Sequence, residues 1–201
     1  MLAPMENIDV TVLRTLRGWR QQGRQALLAT VIRTWGSSPR PVGSIMALAD
    51  GGAVVGSVSG GCIEDDLIHR YRTDLTDRAP VRVKYGVSAD EAHRFGLPCG
   101  GTLELLLEFN PDAATLDALV QQLDAGQLVE RCTEIASGRI ELHPLAEPGS
   151  LRDDGVWLCN SFGPEFRLLL IGAGQLTEYL ATMALFSGFR VTVCDPREEY
   201  R

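Results

Sequence analysis

No stretch of the sequence approaches the roughly 18 consecutive apolar residues that a membrane-spanning helix requires, so the pattern offers no transmembrane segment. Met1 to Asn7 lacks the basic and apolar regions of a secretory signal, and a cytoplasmic location is expected. Histidine is scarce: His69, His93 and His143 stand too far apart for metal-ligand spacing. There is no HExxH, GxSxG or Walker loop, which leaves zinc-hydrolase, serine-hydrolase and P-loop ATPase mechanisms without residues. Cation is also in short supply, with 19 Lys and Arg against 26 Asp and Glu and a net charge of −7. A general nucleic-acid binder needs clustered positive charge, so that class is not supported. Nor is there a CxxC: the cysteines at 62, 99, 132, 159 and 194 are odd in number and widely spaced. They suggest neither a disulfide framework nor a zinc ribbon, and read as reduced thiols that mostly serve as small buried residues.

What is present is globular. The 201 residues are 45% hydrophobic, enough for one large domain or two small ones. Positive charge gathers early, with Arg14, Arg17, Arg20, Arg24, Arg33 and Arg40 against Glu6, Asp9 and Asp50 within the first fifty residues. The first four of these arginines read as a solvated helix face, with an anion-binding patch as the alternative.

Ile8, Val12, Leu16 and Trp19, widened by Leu13, recur at helical spacing, and Gly23 stands where a helix ends. A strand is predicted over 26–34. A hairpin follows, with strands over 44–49 and 53–58 joined by an Asp50-Gly51-Gly52 turn. A helix opens after Gly61 and runs to Tyr71; strands are predicted over 81–85 and 102–109. Asn110 and Pro111 suggest an N-cap and first-turn proline for a helix bearing Leu116, Leu119, Val120 and Leu123, closed by Gly126. Strands are predicted over 129–136 and 156–162, separated by a Pro-, Gly- and Asp-rich stretch, 143–155. From 167 the pattern is strand, tight turn (Gly172-Ala173-Gly174), helix (175–187) and strand (189–194). A domain boundary is placed near 163–166.

Three motifs could carry chemistry. Gly172 and Gly174 follow a strand and open a helix, so backbone amides there could meet a phosphate. Thr177 replaces the third small residue of such turns, and Asp195 lies 21 residues after Gly174, near where a ribose-binding acid belongs. The second motif is a pair of glycine-flanked thiols: Ser59-Gly60-Gly61-Cys62 with Glu64, and Cys99-Gly100-Gly101. Each cysteine is either a packed small residue or an exposed soft ligand; at a helix start the dipole should favour the Cys62 thiolate. The third is the turn-rich loop 36–44, where Ser37, Ser38 and Arg40 sit among prolines; Arg40 either holds an oxyanion bidentately or lies in solvent.

The run Trp35 to Met46, then Gly56 to Glu64, resembles the signature of the XdhC/CoxI family. Gly96 to Gly101 resembles the family's second cysteine block, with Pro98 at a position that is often glycine, and 167–197 resembles its Rossmann-like C-terminal domain. The resemblance implies an α/β fold: a mixed α/β XdhC-type domain over 1–163 (motif core 26–109), then an incomplete Rossmann-like βαβ unit over 164–201. Family members continue past the Asp195-Pro196-Arg197 segment, so a C-terminal truncation is expected.

The implied activity is that of a chaperone that binds molybdenum cofactor (molybdopterin) and protects it while a cysteine desulfurase installs its terminal sulfur. It then delivers the cofactor to an apo xanthine dehydrogenase-type hydroxylase. That reading sets the cofactor near Ser37, Ser38, Arg40, Ser59, Gly60, Gly61, Cys62, Glu64, Cys99, Gly100 and Gly101. Cys62 or Cys99 would approach the metal. The unpaired sheet edge suggests a homodimer. Two alternatives stay open: an NAD(P)-dependent oxidoreductase using Gly172, Gly174 and Asp195, and a scaffold whose glycine pairs are structural turns.

Overall fold

The structure, a computed structural model, describes residues 7–36, 38, 40–86, 102–163, 167–187 and 189–197. Helix α1 (Ile8–Gln21) is capped by the Asn7 side chain, which accepts from the Asp9 amide at 3.0 Å. It buries Val10, Val12, Leu13 and Leu16, while Ile8 faces solvent, so the buried stripe lies slightly round the helix from the one expected. Strand β1 (Ala26–Trp35) pairs antiparallel with β2 (Ile45–Ala49), which turns through residues 50–52 into β3 (Val54–Gly56). Helix α2 (Cys62–Tyr71) follows, then β4 (Val81–Tyr85) and β5 (Thr102–Phe109). The resulting five-stranded antiparallel sheet has the order β3-β2-β1-β5-β4.

Strand β1 shows why the core forms. Seven consecutive residues, Ala26 to Ile32, are buried, which requires cover on both faces. Because side chains alternate, Ala26 and Leu28 join α1 and helix α3 (Ala113–Asp124) in one apolar cluster. Leu27, Ala29 and Val31 join Ile63 and Leu67 of α2, with Leu103, Leu105 and Leu107 of β5, in another. Each buried Leu contributes about 1.5–3 kcal/mol. Arginines on α1 stitch the first layer rather than forming a solvated face or an anion patch. Arg14 pairs with Asp124 at 2.7 Å and Arg17 with Asp117 at 3.5 Å, both on α3; Arg20 donates to the Pro111 carbonyl. Arg24 holds Asp50 at 2.8 Å.

Asn110 is not the N-cap expected of it; Asp112 caps α3, accepting from the Thr115 amide. Asn110 instead adopts φ 48°, accepts from the Ala26 amide and from Arg20, and donates to the Leu75 carbonyl. Asparagine tolerates this left-handed conformation, and the side chain is committed to joining three segments.

A second sheet follows: β6 (Leu128–Glu134), β7 (Ile140–Leu145), β8 (Arg152–Asp153) and β9 (Trp157–Phe162), ordered β7-β6-β9-β8. Part of the stretch expected to be irregular is therefore strand. Pro144 is tolerated because β7 lies at the sheet edge. The inward face of this sheet carries Arg131 and Thr133, which meet Glu108 of β5. Cys132 and Cys159 are joined in a disulfide, which corrects the expectation of reduced thiols throughout; Cys62 and Cys194 are free and exposed.

Residues 167–194 form a separate parallel pair, β10 (Arg167–Ile171) and β11 (Arg190–Cys194), connected through α4 (Gln175–Phe186). The fold class is thus α/β, a mixed antiparallel domain followed by one βαβ unit. Among the described residues, no helix is long and apolar enough to cross a membrane.

Candidate functional site

The Ser57–Glu64 turn is organised by one carboxylate. Glu64, in the first turn of α2, is buried and accepts from the amides of Val58 and Ser59 (both 2.8 Å), Gly60 (3.1 Å) and Gly61 (2.8 Å). The Ser57 hydroxyl donates to it at 2.7 Å, and the Ser59 hydroxyl donates to its other oxygen. Burial alone would raise this carboxyl's pKa. The hydrogen bonds from Ser59, Ser57 and the turn outweigh it and hold the group well below the usual glutamate range. The amides expected to face a ligand are therefore occupied by the chain's own anion. Glu64 acts here as the clamp that shapes the turn.

That turn presents the thiol. Gly60 takes φ 93°, a conformation that favours glycine, and nothing lies within 4 Å of where its Cβ would be. Gly60 and Gly61 leave the surface bare, and Cys62 stands exposed at the first position of α2. Arg40 reaches the same place from the 36–44 loop: its Nε donates to Ser57 Oγ at 3.3 Å, and the Ser38 hydroxyl donates to its carbonyl at 2.8 Å. Arg40, Ser44 and Ser57 border a cavity of about 180 Å³ with Asp9 of α1, whose carboxyl burial pushes up.

Of the residues expected in this site, Arg40, Ser59, Gly60, Gly61, Cys62 and Glu64 are brought to one turn, with Ser38 behind Arg40. Ser37, Cys99, Gly100 and Gly101 lie outside the described residues. Ser57 and Asp9 were not expected. Ser57 stands seven residues before Glu64 beside a glycine, a serine-rich approach that could have marked it; Asp9 carries no such signal.

The second group is separate. Ala173 donates its amide to Asp195 at 2.6 Å, and Thr177 donates its hydroxyl to the Gly172 carbonyl at 2.6 Å. Thr177 thus bridges the turn rather than merely replacing a small residue. Asp195 also receives the Arg197 side chain and amide, and these bonds with that from Ala173 hold its carboxyl well below the usual range. A cavity of about 380 Å³ lies beside Ala173, Gly174, Thr177 and Val193.

Residues 19–86 match the model of the XdhC and CoxI family, a segment holding every described residue of the Glu64–Cys62 site except Asp9. Over that segment the chain is similar to the XdhC and CoxI family. The chain is 26% identical over 190 residues to the molybdenum cofactor insertion chaperone PaoD of Escherichia coli (strain K12). That alignment covers 92% of the chain and 57% of the relative. It is 25% identical over 206 aligned residues to a probable xanthine dehydrogenase subunit of Bacillus subtilis (strain 168), covering 88% and 61%. Its fold matches the crystal structure of a xanthine dehydrogenase from Bacillus halodurans with a TM-score of 0.73 and 27% identity, over 96% of this chain and 64% of that one. The chain therefore spans about three fifths of the length of these relatives.

Proposed function

We propose that this chain is an accessory factor of molybdenum enzymes, binding molybdenum cofactor, protecting it and delivering it to an apo xanthine dehydrogenase-type hydroxylase. The observation that carries this reading is the exposed Cys62 thiol at the start of α2, on a turn clamped by buried Glu64 and flanked by Arg40. A thiolate is a soft donor suited to molybdenum or its sulfur ligand, and a guanidinium suits the cofactor's phosphate. Both fit the cargo. The Escherichia coli relative, a molybdenum cofactor insertion chaperone, supports the same role. A cysteine desulfurase is the partner that would supply the terminal sulfur.

The test is binding of isolated molybdenum cofactor to the purified chain, with Cys62→Ala and Cys99→Ala beside it. Stoichiometric binding that is lost in either variant is expected. Equal binding by all three would remove the thiols from the site, and no binding to the unaltered chain would overturn the reading.

A second reading rests on the cavity beside Gly174 and Thr177, where an NAD(P) phosphate could meet the start of α4. Titration with NADPH followed by fluorescence checks it, and a flat titration disposes of it. We also propose self-association through the βαβ unit, which exposes Leu169, Ile171, Tyr179, Met183 and Phe186. Sedimentation at micromolar concentration should find a dimer; a monomer would count against it.

A further inference from the structure

The outward face of the β7-β6-β9-β8 sheet holds a group of residues that the cofactor site does not use. One register level carries four of them side by side: Cys132 lies opposite Glu141 on β7 and Cys159 on β9, and Cys159 lies opposite Arg152 on β8. Directly opposed residues share a face and meet. Glu130, two residues before Cys132, is on that face as well. Its Oε2 lies 3.7 Å from the Cys132 sulfur.

The donor atoms of Glu130, Cys132 and Cys159 all lie within 4.8 Å of one another, and among the described residues no other group of three metal-ligating side chains is so close. These side chains are nearly buried, at 9%, 5% and 8% exposure, yet the two cysteines border a surface cavity of about 350 Å³. Glu141, Arg152, Asp153 and Trp157 line the rest of it. A disulfide that only stapled the sheet would need no opening, no carboxylate and no guanidinium around it.

We propose that Cys132 and Cys159 are a reversible dithiol–disulfide pair whose reduced form, with Glu130, binds one thiophilic divalent cation of the Zn²⁺ type. Reduction needs a dithiol donor. One donor thiolate attacks a sulfur of the pair and breaks the S–S bond. The donor's second thiol then resolves the mixed disulfide, so that two electrons pass to the cysteines and the donor leaves oxidised. The two protein thiols release two protons as the cation binds. Zn–S bonds of about 2.3 Å at tetrahedral angles set two thiolates roughly 3.8 Å apart, and opposed residues with Cα atoms 4.0 Å apart can present that spacing. Glu130 supplies the third ligand and the cavity a position for water. In the oxidised form the carboxylate is held by Arg152, whose NH2 lies 2.8 Å from both oxygens. Arg152 is 66% exposed, so it can swing into solvent when a cation takes the carboxylate.

The experiment uses the 201-residue chain with Cys62, Cys99 and Cys194 changed to Ser, so that Cys132 and Cys159 are its one pair of cysteines. Alkylation and mass measurement across a series of dithiothreitol ratios should show two thiols appearing together, with the far-ultraviolet circular dichroism unchanged. Zn²⁺ titrated into the reduced chain should bind one per chain, and into the oxidised chain not at all. Glu130→Gln should weaken binding by roughly tenfold or more, since even outer partners of metal ligands carry effects of that size. Cys132→Ser and Cys159→Ser should abolish it. The reduced-against-oxidised comparison needs no change to the pair and decides the matter even if those variants fail to fold. A reduced chain that takes no Zn²⁺, equal uptake by both forms, or a pair that is reduced only on unfolding would each overturn the proposal.

Discussion

Arg131 of β6 lays its guanidinium against Glu108 of β5, NH1 to Oε1 at 2.9 Å and NH2 to Oε2 at 2.8 Å, with both side chains almost fully buried. Thr133 closes the group by donating to Glu108 and accepting from Arg131. This ion pair joins the two antiparallel sheets, and removing one partner leaves the other buried and uncompensated. Glu108→Gln or Arg131→Met should each destabilise the chain by about 3–5 kcal/mol. Replacing both, Glu108→Leu with Arg131→Met, should recover most of that loss, because a paired charge traded for apolar contact is often near neutral. Urea denaturation of the three variants checks it; a double variant worse than either single would contradict the argument.

Acid should weaken the clamp on the Cys62 turn. The Glu64 carboxyl is held below its usual pKa of 4.5 in the folded chain. The stability it contributes is present above that value and is lost as the pH falls below it, when the unfolded chain takes up the proton more readily. Asp153, bonded through both oxygens to Arg82 of β4, is lowered in the same direction and adds to the same slope. Glu64→Gln should lower stability at pH 7 and flatten the dependence between pH 4.5 and the acid limit, read by denaturant midpoints at several pH values.

The sheet and the turn differ in how much of them the sequence reveals. The bounds of β4 and β5 are legible because turn formers bracket them, Pro80 and Gly86 around β4 and Gly101 and Asn110 around β5, and β1 because its mostly hydrophobic run demands two covered faces. The Cys62 turn was legible as a place, through its glycines. The use of its amides was not, since a glutamate three residues into a helix looks the same whether it caps the turn or faces a ligand. Asn110 before Pro111 reads as a cap; only the fold brings Ala26, Leu75 and Arg20 to its side chain. Cys132 and Cys159 are 27 residues apart with no shared motif, and strand register alone makes them neighbours.

Gly56 ends β3 with φ 82°, and a Cβ there would sit 2.5 Å from the Ile45 carbonyl oxygen and 2.6 Å from Val12 Cγ2. Both the conformation and the space oppose a side chain. Gly56→Ala should cost about 2 kcal/mol or more. Gly60→Ala, where the backbone is equally unusual but the space is open, should cost only about 1–2 kcal/mol of strain. Thermal melts rank the two, and Gly60→Ala costing more than Gly56→Ala would show that crowding against α1 is not what fixes the glycine.

Arg40 separates binding from folding. It is exposed, and its Nε bond to Ser57 is long at 3.3 Å, so Arg40→Ala should change stability by less than about 0.5 kcal/mol. A charged hydrogen bond to a phosphate contributes about 1.5–3 kcal/mol, so the same variant should weaken cofactor binding by roughly tenfold or more. Arg40→Lys should fall between, keeping the charge and losing the fork. Binding curves at low and high salt complete the test. The unaltered chain should lose affinity as salt rises, and Arg40→Ala should lose less, because the screened interaction is already gone. Unchanged affinity in Arg40→Ala would remove the guanidinium from the binding face and leave Cys62 to carry the site alone.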